Sequence, residues 1–165
     1  MSQMFFNEIE AAKIAQNMEA NGLAFYQRAA AKARDPRVKK LFLALADDEA
    51  KHRAWFEELE EQLHTERRDG PGYTDDAEIG AYISGLLQTQ VFGDESDVAR
   101  LADGAADDAA ALAVGMKAER DSIVFYQEML DFVDSKVAQR TFEKILEEER
   151  RHLRLLGEQS EACDS

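Results

Sequence analysis

The sequence carries one arrangement of residues twice, and the second copy is displaced by 100 positions along a chain of 165 residues. Glu19 is followed six residues later by Phe25-Tyr26 and thirty residues later by the motif Glu49-x-x-His52. The second copy contains the corresponding residues Glu119, Phe125, Tyr126, Glu149 and His152. Because the offset is the same for every member, it indicates an internal duplication, and the two halves are expected to fold alike.

The composition predicts an all-α protein. Good helix formers such as Ala, Glu, Leu, Lys and Arg are abundant, whereas β-branched residues are sparse. The chain contains only two prolines, so long stretches are free to form uninterrupted helices. Hydrophobic residues make up 45% of the chain, which is enough for a buried core. We therefore expect residues 1–165 to form one helical domain.

Four segments with apolar residues at helical spacing predict long helices. These segments cover about residues 7–33, 36–66, 107–132 and 135–159. The links within each pair are short, which predicts antiparallel neighbours. The connection over about 67–106 begins with the helix-breaking sequence Asp69-Gly70-Pro71-Gly72, and we expect a short helix over 77–90 and a turn near 96–102. A bundle helix of about 25 residues is roughly 37 Å long, so the connection must run the length of the bundle to start the third helix from the other end. The expected fold is a ferritin-like four-helix bundle with one long crossover between helices 2 and 3.

Charged residues interrupt the apolar stripes of the second and fourth helices. Glu49 and His52 fall between Leu45 and Phe56, and the second copy repeats this placement. A buried carboxylate is costly unless it has a partner, and no Lys or Arg occupies an equivalent stripe position. Two divalent cations could supply the missing positive charge.

The repeated residues predict a site for two metal ions. Glu and His three residues apart lie one above the other on a helix face, so both can reach one small volume. By pseudo-symmetry, Glu49 and Glu149 bridge the ions, and each ion takes one histidine and one terminal glutamate. The predicted ligands are Glu19, Glu49, His52, Glu119, Glu149 and His152. Oxygen and nitrogen ligands without thiolate favour two Fe ions, with Mn or Zn as possible substitutes.

Four neighbouring residues are candidates for supporting roles. Asp48 and Glu148 each precede a bridging glutamate and could reach across to the opposite histidine; alternatively, they are solvated acidic residues. Tyr26 and Tyr126 follow the terminal glutamates by seven residues, so each shares the inward face of its helix. They are candidate catalytic residues that hydrogen-bond a ligand or carry a radical, or they are core aromatics with a polar tip.

Charge and cysteine content restrict the partners. A net charge of −14 argues against binding to nucleic acid, because the chain has no excess of cations to displace counterions. No apolar run approaches the roughly 20 residues that span a bilayer, so no membrane partner is expected. The single Cys163 excludes an intrachain disulfide. A cytoplasmic location is the resulting prediction.

The chain resembles the rubrerythrin-like branch of the ferritin-like di-iron carboxylate superfamily over about residues 5–158. The resemblance is carried by Glu19-Ala-Asn-Gly-Leu-Ala-Phe-Tyr, Asp48-Glu49-Ala-Lys-His52, Glu119-Arg-Asp-Ser-Ile-Val-Phe-Tyr and Glu148-Glu149-Arg-Arg-His152. It implies a four-helix bundle that holds two irons and assembles into homodimers or larger homo-oligomers. One departure is Ser122, because the best-known rubrerythrins carry an additional glutamate at that position.

The resemblance also implies redox chemistry. The expected function is that of a di-iron oxidoreductase, a peroxidase or ferroxidase that reduces hydrogen peroxide or oxygen and can use ferrous iron. The alternative is an iron-binding protein for storage, sensing or delivery, with little catalytic turnover. Related proteins with a rubredoxin domain receive electrons through the iron of that domain. That domain is absent from these residues, so the resemblance implies that an external electron-donor protein, or ferrous iron itself, is the reductant.

Overall fold

The computed structural model describes residues 6–66 and 77–164, and every regular element in these ranges is an α-helix. The helices are α1 (Glu8–Lys32), α2 (Pro36–Thr65), α3 (Ala77–Gln88), α4 (Glu95–Gly104), α5 (Asp108–Phe132) and α6 (Lys136–Asp164). The four long helices form the bundle, and α3 and α4 belong to the crossover. The expected helical-bundle fold is therefore confirmed.

Capping residues fix where the long helices begin. The side chain of Asn7 accepts a hydrogen bond from the Glu10 N–H at the start of α1, and Asp107 accepts from the Ala110 N–H at the start of α5. Asp35 caps α2, whose first residue is Pro36. Such caps satisfy backbone donors that have no partner within the helix, and proline at this position loses no hydrogen bond.

The first residues of α1 and α5 tie the two helical hairpins together reciprocally. Glu8 Oε1 accepts hydrogen bonds from the N–H groups of Asp134 (2.7 Å) and Ser135 (2.9 Å), in the link between α5 and α6. Asp108 Oδ2 in turn accepts from the Asp35 N–H at 2.8 Å, in the link between α1 and α2. Each hairpin thus satisfies backbone donors in the turn of the other.

Apolar side chains form two clusters at opposite ends of the bundle. The first cluster includes Phe6, Ile9, Phe56, Leu59, Leu63, Phe125, Met129, Phe142 and Ile145. The second cluster includes Phe25, Val38, Phe42, Leu45, Leu112 and Leu156. Full burial of each large side chain contributes on the order of 2 kcal/mol, so these clusters hold the helices together. The predicted polar residues lie between the clusters on all four helices.

The order of the clusters along each helix gives the topology. Helix α2 runs from the second cluster to the first, and α5 runs in the same direction, so these two helices are parallel. The chain must therefore travel the length of the bundle between them, which confirms the predicted crossover. Along this path, Ile83 of α3 packs into the first cluster, whereas Val98 and Ala102 of α4 pack into the second.

The helix bounds differ from expectation in three places. The segment predicted as a turn at 96–102 is a ten-residue helix, α4, because Asp94 caps it and its apolar face is buried. The predicted helix over 77–90 ends at Gln88, and α6 continues to Asp164 because no breaker follows Gln159. The predicted breaker Asp69-Gly70-Pro71-Gly72 lies outside the described residues.

Within residues 6–66 and 77–164, no helix combines the length and the apolar character that crossing a bilayer requires.

Candidate metal centre

The six predicted ligands occupy the middle of the four long helices. Glu19 lies on α1, Glu119 on α5, the Glu49–His52 pair on α2 and the Glu149–His152 pair on α6. Each is at least 96% buried, which is unusual for ionisable side chains. They face one another because each replaces an apolar residue in the stripe that its helix turns toward the core.

The structure gathers these side chains into two groups of potential ligands. The first group is Glu19, Glu49, His52 and Glu149, and the second is Glu49, Glu119, Glu149 and His152. In each group, one ligand atom from every residue lies within 4.8 Å of the others. Glu49 and Glu149 belong to both groups, which is the arrangement that two bridging carboxylates require. Each group adds one histidine and one further glutamate.

Both histidines direct Nδ1 toward the carboxylates. The distance from His52 Nδ1 to Glu149 Oε1 is 3.3 Å, and that to Glu19 Oε2 is 3.5 Å. His152 Nδ1 lies 3.0 Å from Glu149 Oε2 and 3.4 Å from Glu119 Oε1. The two rings stack with centroids 5.4 Å apart and an interplanar angle of 15°. Two imidazoles thus approach the same acidic layer side by side.

The outer nitrogen of each histidine contacts a carboxylate from the other hairpin. His52 Nε2 is hydrogen-bonded to Glu148, and His152 Nε2 lies 3.1 Å from Asp48 Oδ2. An imidazole that donates from Nε2 presents the lone pair of Nδ1 to the interior, where a metal ion could accept it. Arg151 also donates to Asp48, at 3.0 Å. Burial raises the pKa of Asp48, but the contacts with His152 and Arg151 outweigh this and lower it.

Each tyrosine donates a hydrogen bond to a glutamate that belongs to only one of the two ligand groups. Tyr26 OH donates to Glu119 Oε1 at 2.6 Å, and Tyr126 OH donates to Glu19 Oε1. Burial raises the pKa of both phenols, and the charges of Glu119 and Glu19 raise it further. The phenols therefore stay protonated at neutral pH. Tyr126 occupies Oε1 of Glu19 and leaves Oε2 facing His52, whereas Oε1 of Glu119 both accepts from Tyr26 and faces His152.

Several buried atoms of the site lack a hydrogen-bond partner among the described residues. They are Glu19 Oε2, Glu49 Oε1, His52 Nδ1, both carboxylate oxygens of Glu149 and His152 Nδ1. A buried polar atom without a partner costs about 1–3 kcal/mol, and folded proteins rarely tolerate several together. All of these atoms are metal-ligand types, and all face the same volume. The donor set therefore fits a pair of metal ions.

The electrostatics of the side chains lead to the same conclusion. Burial raises the pKa of Glu49, and repulsion from Glu149 adds to the effect. Burial raises the pKa of Glu149 in the same way, with a further contribution from Glu119. Burial alone would lower the pKa of His52, but contacts with Glu149 and Glu19 raise it to about 11. The layer thus retains protons that bound cations would replace.

Gly22 is a residue of the site that the sequence analysis missed. A Cβ atom at this position would lie 2.5 Å from Glu49 Oε2, so the Glu49 carboxylate occupies the space beside the α1 backbone. The repeat carries no signal for Gly22, because the residue at the same offset of 100 is Ser122. Any larger residue at Gly22 would have to displace Glu49.

A cavity of about 190 Å³ also escaped the sequence analysis. It lies between α1, α5 and the connection from α3 to α4, and Tyr26, Glu49 and Glu119 form part of its wall. The sequence gives no signal for it, because its position depends on where the crossover packs.

Comparisons with known proteins agree with this arrangement. The family model for rubrerythrin matches residues 10–159. A search of curated proteins finds no significant match. Among solved structures, a Thermotoga maritima protein described as a ferritin-like diiron-carboxylate protein is similar, with a TM-score of 0.72 and 27% identity over 97% of this chain and 98% of that one.

Two further structures share the fold. A hypothetical protein from Pyrococcus furiosus has a TM-score of 0.65 and 20% identity, over 94% of this chain and 89% of that one. A DUF305 fragment from Deinococcus radiodurans has a TM-score of 0.68 and 15% identity, over 98% and 99% of the two chains. The family match, together with the buried carboxylate–histidine cluster, supports a di-iron protein. The chain belongs to the rubrerythrin family.

Proposed function

We propose that the protein is a di-iron oxidoreductase that reduces hydrogen peroxide or oxygen. The observation that carries this proposal is the pair of ligand groups that share Glu49 and Glu149. Glu49 and Glu149 would hold two ions beside each other, and such a pair would supply two-electron chemistry toward a small oxidant.

The donor atoms favour iron. Each group offers three carboxylates and one imidazole, and neither contains a cysteine. Hard oxygen donors with imidazole suit Fe and Mn, whereas zinc sites more often use four ligands with tetrahedral geometry. We propose Glu49 and Glu149 as bridging ligands and Glu19, His52, Glu119 and His152 as terminal ligands. Manganese and zinc are possible substitutes.

Two ferrous ions would supply one electron each, so that hydrogen peroxide takes up two electrons and two protons and leaves as two water molecules. The chain provides the surroundings for this reaction. Its buried carboxylates offset the charge of the ions, and the apolar clusters on either side exclude bulk water. Asp48 and Glu148 orient the histidines from behind. These contacts fix the ligands before the oxidant arrives.

We propose that Tyr26 and Tyr126 hold protons beside the reacting volume. Each phenol donates to a terminal glutamate and is fully buried. Because burial and the neighbouring carboxylates raise the pKa of both phenols, each keeps its proton and donates a hydrogen bond that would hold its glutamate in position beside a metal ion.

The electrons that return the site to its reduced state between turnovers must come from outside these residues. The sequence contains one cysteine, so these residues cannot form a rubredoxin-type iron centre. We propose that a partner protein, or ferrous iron itself, reduces the site between turnovers.

Ser122 favours a second candidate function, in which iron is bound for storage, sensing or delivery. Ser122 lines the cavity beside Glu119, at the position where the resemblance places an additional glutamate. Serine is a poor iron ligand, so this side of the site provides one ligand fewer than the resemblance to the best-known rubrerythrins implies. A protein with this function would lose iron readily and would turn over little peroxide.

One experiment distinguishes these candidates. The purified protein is loaded with iron, metals are counted per chain, and the reduced protein is mixed with hydrogen peroxide without oxygen. Oxidoreductase function predicts two irons per chain and rapid growth of the near-ultraviolet bands of ferric iron, with one peroxide consumed per pair. Tight zinc binding without any redox response would exclude it. Iron that is released on dilution, with slow oxidation, would favour iron handling.

A further inference from the structure

The repeat relates the two ligand groups, but the charges behind their histidines are not equivalent. Lys51 and Arg151 are matched positions at the offset of 100, as are Asp48 and Glu148. Strict repetition would give each of these two carboxylates one of the cations. Instead, both cations contact Asp48, at 3.7 Å from Lys51 Nζ to Oδ1 and at 3.0 Å from Arg151 Nη2 to Oδ2. Among the described residues, no Lys or Arg forms an ion pair with Glu148.

The crowding of Asp48 affects the histidine that it orients. Asp48 Oδ2 accepts from Arg151 and lies 3.1 Å from His152 Nε2, so a single oxygen serves both groups. An outer carboxylate strengthens an imidazole as a metal ligand, because its negative charge raises the basicity of the ring. The guanidinium withdraws part of that charge from Asp48. His52 is oriented by Glu148, whose charge is not divided in this way within the described part of the chain. His152 is therefore the weaker donor.

The terminal glutamates differ in the same direction. Glu19 separates its two contacts, since Oε1 accepts from Tyr126, and Oε2 faces the histidine of its group without a hydrogen-bond partner among the described residues. In Glu119, the same oxygen, Oε1, accepts from Tyr26 at 2.6 Å and faces the histidine of its group at 3.4 Å. An oxygen that already accepts a hydrogen bond has less negative charge to offer to a cation.

The two positions also differ in how they are covered. Trp55 stacks on His52 with ring centroids 5.6 Å apart, whereas the matched position on α6 is occupied by Leu155. The described wall of the cavity between α1, α5 and the α3–α4 connection includes Glu119 but neither Glu19 nor His52. An ion held by Glu119 would thus lie next to space that water can enter, which shortens its route to solvent.

We propose that the two metal positions differ in affinity, and that the ion beside His152 is held less tightly and exchanges first. Arg151 sets this difference as a positioning residue, since it belongs to neither ligand group and acts through Asp48. The expected ratio of affinities is about tenfold, at the lower end of the 10- to 100-fold range for loss of an outer partner. This inference rests on the two-metal centre of the proposed function, and it adds the order in which the ions load and leave.

Partial loading tests the two positions separately. The full chain is crystallised without oxygen in the presence of one equivalent of ferrous iron, and anomalous diffraction at the iron edge gives the occupancy beside each histidine. Equivalent positions would fill equally, whereas a tenfold difference in affinity predicts at least about threefold higher occupancy beside His52 than beside His152. Equal occupancy, or a stronger peak beside His152, overturns the inference.

Variants of the outer residues identify the cause of the difference. Arg151→Met removes the guanidinium, so the two occupancies at half-loading should approach each other while two irons still bind at saturation. Glu148→Gln removes the charge behind His52 and should abolish the preference or reverse it. Arg150→Met is the matched control, because Arg150 pairs with Glu147 and the variant should keep the wild-type ratio. An unchanged ratio in Arg151→Met overturns the role of Arg151.

Release in solution is an independent readout. When the iron-loaded protein is diluted into a ferrous chelator without oxygen, one iron per chain should leave about tenfold faster than the other, and Arg151→Met should narrow this gap. If the positions differ as expected but the reduced protein does not react with hydrogen peroxide, the oxidoreductase function fails and the inference stands. If peroxide reacts and both positions load and release alike, only the inference fails. A chain that binds no pair of ions excludes both.

Discussion

At the scale of single residues, the site consists of buried glutamates and histidines at matched positions in the two halves of the chain. The duplication made these positions predictable, because Glu and His recur within apolar stripes, where a buried charge needs a partner. Their roles as metal ligands remain predictions. Gly22 could not be identified in the same way, because its importance lies in the position of the Glu49 carboxylate, which depends on helix packing.

The bridging assignment predicts that Glu49→Ala or Glu149→Ala abolishes paired-metal binding. Each change removes a carboxylate common to both ligand groups, so the count should fall from two irons per chain to one or fewer. The measurement is elemental analysis after anaerobic loading and desalting. Glu147→Ala is the control, because the Glu147 side chain is 68% exposed and lies two positions before Glu149 in the chain. Two irons in either buried variant would refute the bridging role.

Gly22→Ala should weaken metal binding without unfolding the protein. The new methyl group would lie 2.5 Å from Glu49 Oε2 and push the carboxylate away from its position. Changes that misplace a ligand typically cost 10- to 100-fold in metal affinity. Gly85→Ala is the matched control on α3, since a Cβ there meets nothing within 4 Å. Titration can follow the fluorescence of the single tryptophan, Trp55, which stacks on His52. Equal affinity in both variants would contradict the proposed contact.

At the scale of helices, periodicity and caps defined the four long elements to within a few residues. The short helix α4 was missed because it has only ten residues and buries only Val98 and Ala102, which is too short a pattern to establish helical periodicity in sequence. The reciprocal ties of Glu8 and Asp108 were also missed, although both are acidic residues at the start of a helix and are separated by 100 positions. The sequence indicates that Glu8 and Asp108 are matched positions, but it does not indicate which turn each side chain contacts.

Glu8→Ala should destabilise the metal-free protein by about 1–3 kcal/mol, because it leaves the N–H groups of Asp134 and Ser135 without their acceptor. Urea unfolding monitored by circular dichroism provides the measurement. Glu8→Gln should recover part of the loss through its amide oxygen. Glu10→Ala removes a partly exposed acid in the same turn and should change the free energy of unfolding by less than about 0.5 kcal/mol. If Glu8→Ala left the free energy of unfolding unchanged, the hydrogen bonds between the hairpins would be unimportant for stability.

At the scale of the whole molecule, a polar layer lies between two apolar clusters, so metal binding and folding are linked. Without metal, the buried histidines share protons with Glu49 and Glu149. With metal, those protons are released. The sequence predicted the layer, but the clusters that enclose it became visible only in the packed bundle.

The metal-free protein should therefore become less stable as pH rises. A histidine with a raised native pKa contributes stability that is complete below its unfolded pKa, about 6.5, and is lost as pH rises through its native value. For His52 that value is about 11, and the raised pKa values of Glu49 and Glu149 act in the same direction. The free energy of unfolding should fall by at most about 1.4 kcal/mol per pH unit for each histidine. Urea unfolding between pH 7 and 10 checks this prediction. The zinc-loaded protein should lack the slope, and a metal-free protein that is equally stable across this range would contradict it.

The central claim is that six buried side chains from four helices hold two metal ions. Anomalous diffraction at the iron edge, from crystals of the iron-loaded protein, tests it most directly. We predict two peaks per chain, one beside His52 Nδ1 and the other beside His152 Nδ1, with Glu49 and Glu149 contacting both. A single peak, or peaks only at exposed carboxylates, would contradict the account.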